Sequence, residues 1–189
     1  MKIVRNIILA ILAVLVVVLG LGAIFAPKQI EFRVETEIDA PAEVVWQILA
    51  HEFGDIADWS ETVSESRVLT ADEVPAELVA DPDAPFPARE TVAGPGARVI
   101  EVLTEYSEEE MVFTFEGTNL PFILAFAKDK QSVTSISADK SLVAFEVTME
   151  PPAYLRVLNP VLESRFATAF KGVQEELKVY AETGQPLTQ

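Results

Sequence analysis

The chain has 189 residues, no cysteine and one histidine, and its 30 acids against 14 bases give a formal net charge of −16. That length holds one domain with an appendage. The composition excludes disulfides, thiolate zinc sites, a cysteine nucleophile and a multi-histidine metal centre, and a polyanion without a basic stripe is repelled by nucleic acid.

Ile7 to Ala26 is an uncharged run of 20 residues (IILAILAVLVVVLGLGAIFA), which as a helix rises about 30 Å and can cross a bilayer. It is longer than the apolar core of a signal peptide and lacks a small-x-small cleavage site, because Ile24 lies where a small residue is needed. We read residues 1–28 as an uncleaved single-pass anchor. Lys2, Arg5 and the terminal amine precede the run and Lys28 and Arg33 follow it, so the positive-inside rule narrowly favours a cytoplasmic N-terminus and an extracytoplasmic domain.

Residues 29–184 form that domain, with 185–189 as a tail. Ile30, Phe32, Val34, Thr36 and Ile38 alternate with charged residues and predict a half-buried strand. Asp39, Ala40, Pro41 and Glu43 then supply a cap, a first-turn proline and an acid for a helix running to about Ala50. FGDIADW (Phe53 to Trp59) reads as a second short helix and Val63 to Leu69 as a second strand. The Pro/Asp/Ala-rich stretch Thr70 to Ala88 is too long for an ordinary turn and predicts an exposed loop with one helical turn at Ala76 to Val79. Strands follow at Glu90 to Ala93, Arg98 to Tyr106, Glu110 to Gly117, Phe122 to Ser137 (interrupted at Lys128 to Lys130) and Leu142 to Glu150, the first two joined by Gly94-Pro95-Gly96. Leu155, Leu158, Leu162, Phe166, Phe170, Val173, Leu177 and Tyr180 then recur at helical steps, with Pro160 marking a kink or a first turn capped by Asn159.

This order predicts an α+β fold in which a curved antiparallel sheet wraps round a long C-terminal helix. The stretches VETEIDAPAEVVWQIL (Val34 to Leu49), FGDIADWSETVSES (Phe53 to Ser66), GARVIEVLTEYSEEEMVFTFE (Gly96 to Glu116) and VQEELKVYAETG (Val173 to Gly184) resemble the SRPBCC (START/Bet v 1-like) superfamily, and within it bacterial polyketide cyclase/dehydrase-like proteins. The resemblance implies a helix-grip fold around a hydrophobic cavity, which relatives use to bind lipids, sterols, polyketides or plant hormones and sometimes to catalyse cyclisation. The anchor and the long Thr70 to Ala88 loop depart from the pattern.

No catalytic constellation, metal site or cofactor is expected. His51 fits a helix end; a triad with Ser60 or Ser64 and Asp55 or Asp58 lacks the G-x-S-x-G elbow; and a calcium loop counted from Asp81 would place Phe86 where glycine is required. The candidate ligand-binding residues are Phe53, Trp59, Arg98, Phe113, Phe115, Phe166 and Phe170. Strand alternation puts Phe113 and Phe115 on one face and helical spacing puts Phe166 and Phe170 on another, while Arg98, in register with Ile100 and Val102, is a candidate polar anchor. The expected partners are an apolar small molecule or lipid and, through the first helix, a membrane. The expected function is a membrane-anchored carrier or sensor, with a cyclase/dehydratase-like enzyme and a protein-interaction domain with a filled core as alternatives.

Overall fold

A computed structural model describes residues 2–93 and 96–187; the Gly94-Pro95 part of the expected turn and the last two tail residues lie outside them. Seven strands form one sheet: β1 (Ile30–Ile38), β2 (Val63–Leu69), β3 (Ala88–Ala93), β4 (Ala97–Ser107), β5 (Val112–Thr118), β6 (Phe126–Ser137) and β7 (Lys140–Glu150). Their order is β1-β7-β6-β5-β4-β3-β2 with every neighbouring pair antiparallel. The chain therefore starts at one edge, crosses to the other through α2 (Ala42–Trp46), a wide turn (Gln47–His51) and a 3₁₀ segment (Phe53–Asp58), and returns strand by strand. A second 3₁₀ segment (Ala153–Leu158) leads into α3 (Asn159–Thr183), and α1 (Lys2–Phe25) precedes the sheet.

The long helix is laced to both edges of the sheet. On the β1 side, Lys171 Nζ donates to the Glu35 carbonyl (2.7 Å), Gln174 Nε2 to the Val34 carbonyl (3.1 Å) and Lys178 Nζ to the Glu37 carbonyl (2.7 Å), so helix side chains satisfy an edge strand that would otherwise present bare carbonyls. On the β2 side, Ser60 and Thr62 hydroxyls donate to Glu176. The helix is thereby held across the concave face. Its C-terminal half is packed solid there, with Gln174 and Leu177 fully buried.

Four local expectations change. Pro41, not Asp39, occupies the cap position of α2, and no side chain caps that helix; Asp39 instead faces Lys140 (3.6 Å). Asn159 begins α3 without capping it, and its side-chain amide donates to the Pro27 carbonyl (2.8 Å). Strand β6 starts at Phe126 and runs unbroken through Lys128 to Lys130, because those lysines alternate with Ala127, Asp129 and Gln131 as a strand requires. The 70–87 loop makes turns and no helix at Ala76 to Val79, and much of it is applied to the domain. The Asp81 amide donates to the Leu103 carbonyl (2.7 Å) and its carboxylate accepts from the Tyr106 amide (2.9 Å). Phe86 stacks on Phe53 with centroids 5.5 Å apart, while Val74, Leu78 and Ala80 cover Leu69, Ala88 and Val102 on the convex face.

A divided cavity beneath the long helix

Under the N-terminal half of α3 the interior stays open. Two chambers, of about 200 Å³ and 250 Å³, lie end to end and share Val99, Glu101, Phe115, Asp129 and Phe170 as walls. The first runs toward β2 and β3, past Ile56, Val63, Arg89 and Thr91 and the helix residues Ala169 and Val173. The second runs toward the β5–β6 turn, past Gly117, Leu120, Pro121, Leu124 and Phe166. The register explains why space survives there. Glu101 pairs with Gly117 across β4 and β5, so one wall position has no side chain, and Ala127 on β6 adds only a methyl. A Cβ on Gly117 would lie 3.0 Å from Leu120 and 3.6 Å from Ala127.

Three of the aromatic residues expected at a ligand site, Phe115, Phe166 and Phe170, line these chambers. Phe170 also packs edge-on against Phe32 at 5.6 Å and Phe145 at 6.5 Å, which fixes the ring. Phe113 and Phe53 lie outside the chamber walls, in a cluster with Trp46, Phe86 and Phe115. Trp59, a candidate ligand contact, is instead buried at 3 % exposure in the core and does not border the chambers. Arg98 also departs from the expected inward anchor: it stands on the convex face, half-exposed, paired with Glu90 (2.6 Å) and Glu65 (3.4 Å). His51 Nε2 lies 3.1 Å from Glu108, away from the chamber walls, and Ser60 is committed to Glu176.

The polar groups of the cavity are residues that spacing alone did not single out. Arg89, 6 % exposed, donates through Nε to Glu101 and through Nη1 to the Phe53 carbonyl (2.7 Å), with its guanidinium 3.7 Å from the Phe53 ring centroid. Asp129, 2 % exposed, accepts from Gln131 Nε2 at Oδ2 (2.7 Å), while Oδ1 is buried without a partner among the described residues. Burial first, opposed by the Gln131 bond, and the nearby Glu101 charge push the Asp129 carboxyl up to about 7. The cavity thus has apolar walls and one acid whose ionisation falls near neutrality. Among the described residues, no group of three or more acids or histidines is placed to hold a metal.

A curved antiparallel sheet gripping a long helix over an internal cavity defines a helix-grip domain. Residues 29–182 match the polyketide cyclase/dehydrase and lipid transport family, and the chain belongs to it. Solved structures share the fold at low identity. A START superfamily protein from Mycobacterium smegmatis has a TM-score of 0.64 at 14 % identity, covering 82 % of this chain and 99 % of its own. An aromatase/cyclase from a Streptomyces species has a TM-score of 0.60 at 12 % identity, covering 84 % and 99 %. A norcoclaurine synthase point mutant from Thalictrum, in complex with a transition-state analogue, has a TM-score of 0.59 at 10 % identity, covering 81 % and 94 %. No curated protein matches the chain.

Proposed function

We propose that this protein is a membrane-tethered binder of an apolar small molecule or lipid, held in the divided cavity beneath α3. The observation that carries the reading is the cavity itself, walled by Phe115, Phe166 and Phe170 and left open between helix and sheet. A protein-interaction domain with a filled core has no use for such space.

The tether is α1, a 24-residue helix that is long and apolar enough to cross a membrane. Around its C-terminal end lie exposed apolar side chains: Phe25, Tyr154, Leu158, Val161 and Phe122. The Tyr154 hydroxyl donates to the Phe122 carbonyl (3.4 Å), which joins the 119–125 turn to the 153–158 segment. That turn also walls the second chamber through Leu120, Pro121 and Leu124. An apolar rim of this kind sits in a lipid interface at lower cost than in water, and it brings one end of the cavity toward the source of lipid-like ligands. With the N-terminus cytoplasmic, the domain lies outside the cytoplasm; protease digestion of intact spheroplasts should then remove the domain and spare α1.

Val99→Trp tests the cavity, because Val99 borders both chambers. In the full chain in detergent, a neutral apolar photoprobe should label peptides of α3 in the parent and at least about fivefold less in the variant, with little loss of melting temperature. A parent that takes no label there, or a variant labelled equally, refutes the reading. The runner-up is a cyclase/dehydratase-like enzyme, favoured by the Arg89, Glu101 and Asp129 side chains at the chambers: an acid that titrates near neutrality is suited to proton transfer at a bound carbonyl. Turnover of a polyketide-like substrate lost in Asp129→Asn would select it.

A further inference from the structure

We infer that the ligand carries a hydroxyl group, uncharged and otherwise embedded in hydrocarbon, and that Asp129 Oδ1 is its partner. The inference rests on the reading of the cavity as a ligand site and narrows it to a chemical class. Its starting point is a buried carboxyl oxygen at the junction of the two chambers, Asp129 Oδ1, which has no partner among the described residues. Asp129 is 2 % exposed and walls both chambers, and its other oxygen is already held by Gln131 at 2.7 Å. Leaving a buried polar atom without a partner is unfavourable, so a chain that places one at the wall of an apolar cavity is matched to a ligand atom that completes it.

The bond that Gln131 makes decides what that atom can be. Gln131 donates to Oδ2, so when the acid is protonated its proton sits on Oδ1 and points to the free side; when ionised, Oδ1 can only accept. With a carboxyl pushed up to about 7, both forms are populated near neutrality. An ether or ketone satisfies only the protonated form and an ammonium only the ionised one. A hydroxyl accepts from the first and donates to the second.

The surrounding charges argue against an anionic ligand. The charged groups facing Asp129 are Glu101 from β4, Arg89 from β3 and Lys128 from its own strand, whereas the lining residues of β7 and α3 are all apolar. Arg89 is committed to Glu101 and the Phe53 carbonyl, and Lys128 lies 3.9 Å from both Glu105 and Glu116. A fatty-acid carboxylate or a lipid phosphate would therefore meet two acids and no uncommitted cation among the described lining residues.

The test uses the full chain in detergent and three diazirine photoprobes on one alkyl chain: the primary alcohol, its methyl ether and the matching carboxylic acid. Labelling of α3 and β5 peptides is quantified by mass spectrometry at pH 5 and pH 9. The alcohol should label the cavity at both pH values, changing less than about threefold; the ether should match it at pH 5 and fall at least about fivefold at pH 9; the carboxylate should label least at pH 9. Asp129→Asn presents a permanent donor, so ether labelling should become independent of pH. Asp129→Leu should abolish the preference for alcohol over ether while ether still labels the walls, which shows that the cavity survives. Equal labelling by alcohol and ether at both pH values in the parent overturns the hydroxyl reading and leaves the cavity reading standing, as does a preference that persists in Asp129→Leu. Absence of cavity labelling by all three probes overturns both.

Discussion

Burial of the Asp129 carboxyl makes stability depend on pH in a direction opposite to that of most acids. Asp129 titrates at about 7 in the folded chain against an ordinary value of 3.8. The folded state therefore keeps a proton that the unfolded state releases, and this group's contribution is most favourable below about pH 4, declines as pH rises, and levels off above about pH 7. The loss is on the order of a few kcal/mol. Denaturant midpoints measured from pH 4 to pH 8 should fall for the parent relative to Asp129→Asn, and parallel profiles would refute the assignment. The acid was hard to see in the sequence for a local reason. In Phe126 to Ser132 it stands between two lysines, and that polar run reads as a break in a strand, whereas the structure buries the aspartate, exposes Lys130 and leaves Lys128 half-buried at the edge of the second chamber.

Elements were legible where one face was buried by the fold's main core. Strand β1 and the aromatic pair of β5 fall where alternation put them, because one buried face enforces a period of two. On β4 the same reasoning chose the wrong parity. Arg98, Ile100 and Val102 look like an inward face, but the 70–87 loop covers Ile100 and Val102 from the convex side, and the concave face is Val99, Glu101 and Leu103. A shift of register between Leu103 and Glu105 further along the strand broke the alternation again. Two buried faces cannot be told apart from a single strand's pattern. The loop itself is consequently structural. Phe86→Ala removes the ring stacked on Phe53 and should cost about 2–3 kcal/mol, at the low end for a phenylalanine since Phe86 is only partly buried. A denaturant midpoint that does not move would return the loop to a mere connection. Glu73 is a lesser tie in the same loop: the Thr70 amide first, then Arg67 and the Thr70 hydroxyl, hold its carboxyl below the usual range.

At the scale of the molecule, residues 29–182 contain both layers of the core, so we expect the chain without its first 28 residues to unfold cooperatively. The cut also uncovers Val157, which lies against Gly22, and leaves the Asn159 amide without the Pro27 carbonyl. The truncated protein should therefore be folded but self-associating, a combination that calorimetry and sedimentation together detect. Gly22→Leu in the full chain should act at the same joint, since even a Cβ there falls 2.6 Å from that of Val157. Its expected signature is a lowered melting temperature with ligand labelling preserved. The helix-grip architecture was legible from element order and resemblance; this joint was not, because nothing in the sequence tells Gly22, which meets Val157, from Gly20, which meets nothing.

Only residues 26–29 separate α1 from β1, and the joint is tied on three sides by the Gly22 contact, the Asn159 amide and the Lys28 to Glu150 ion pair at 3.1 Å. Four residues reach at most about 14 Å even when fully extended. On the reading of α1 as an anchor, the domain is a docked arm on a very short leash. It can sample the leaflet it stands on at high effective concentration, yet it cannot ferry cargo across a gap to a second membrane. Long-range delivery would then fall to a soluble acceptor that visits the arm, and the anchored protein would serve as a stationary loading point.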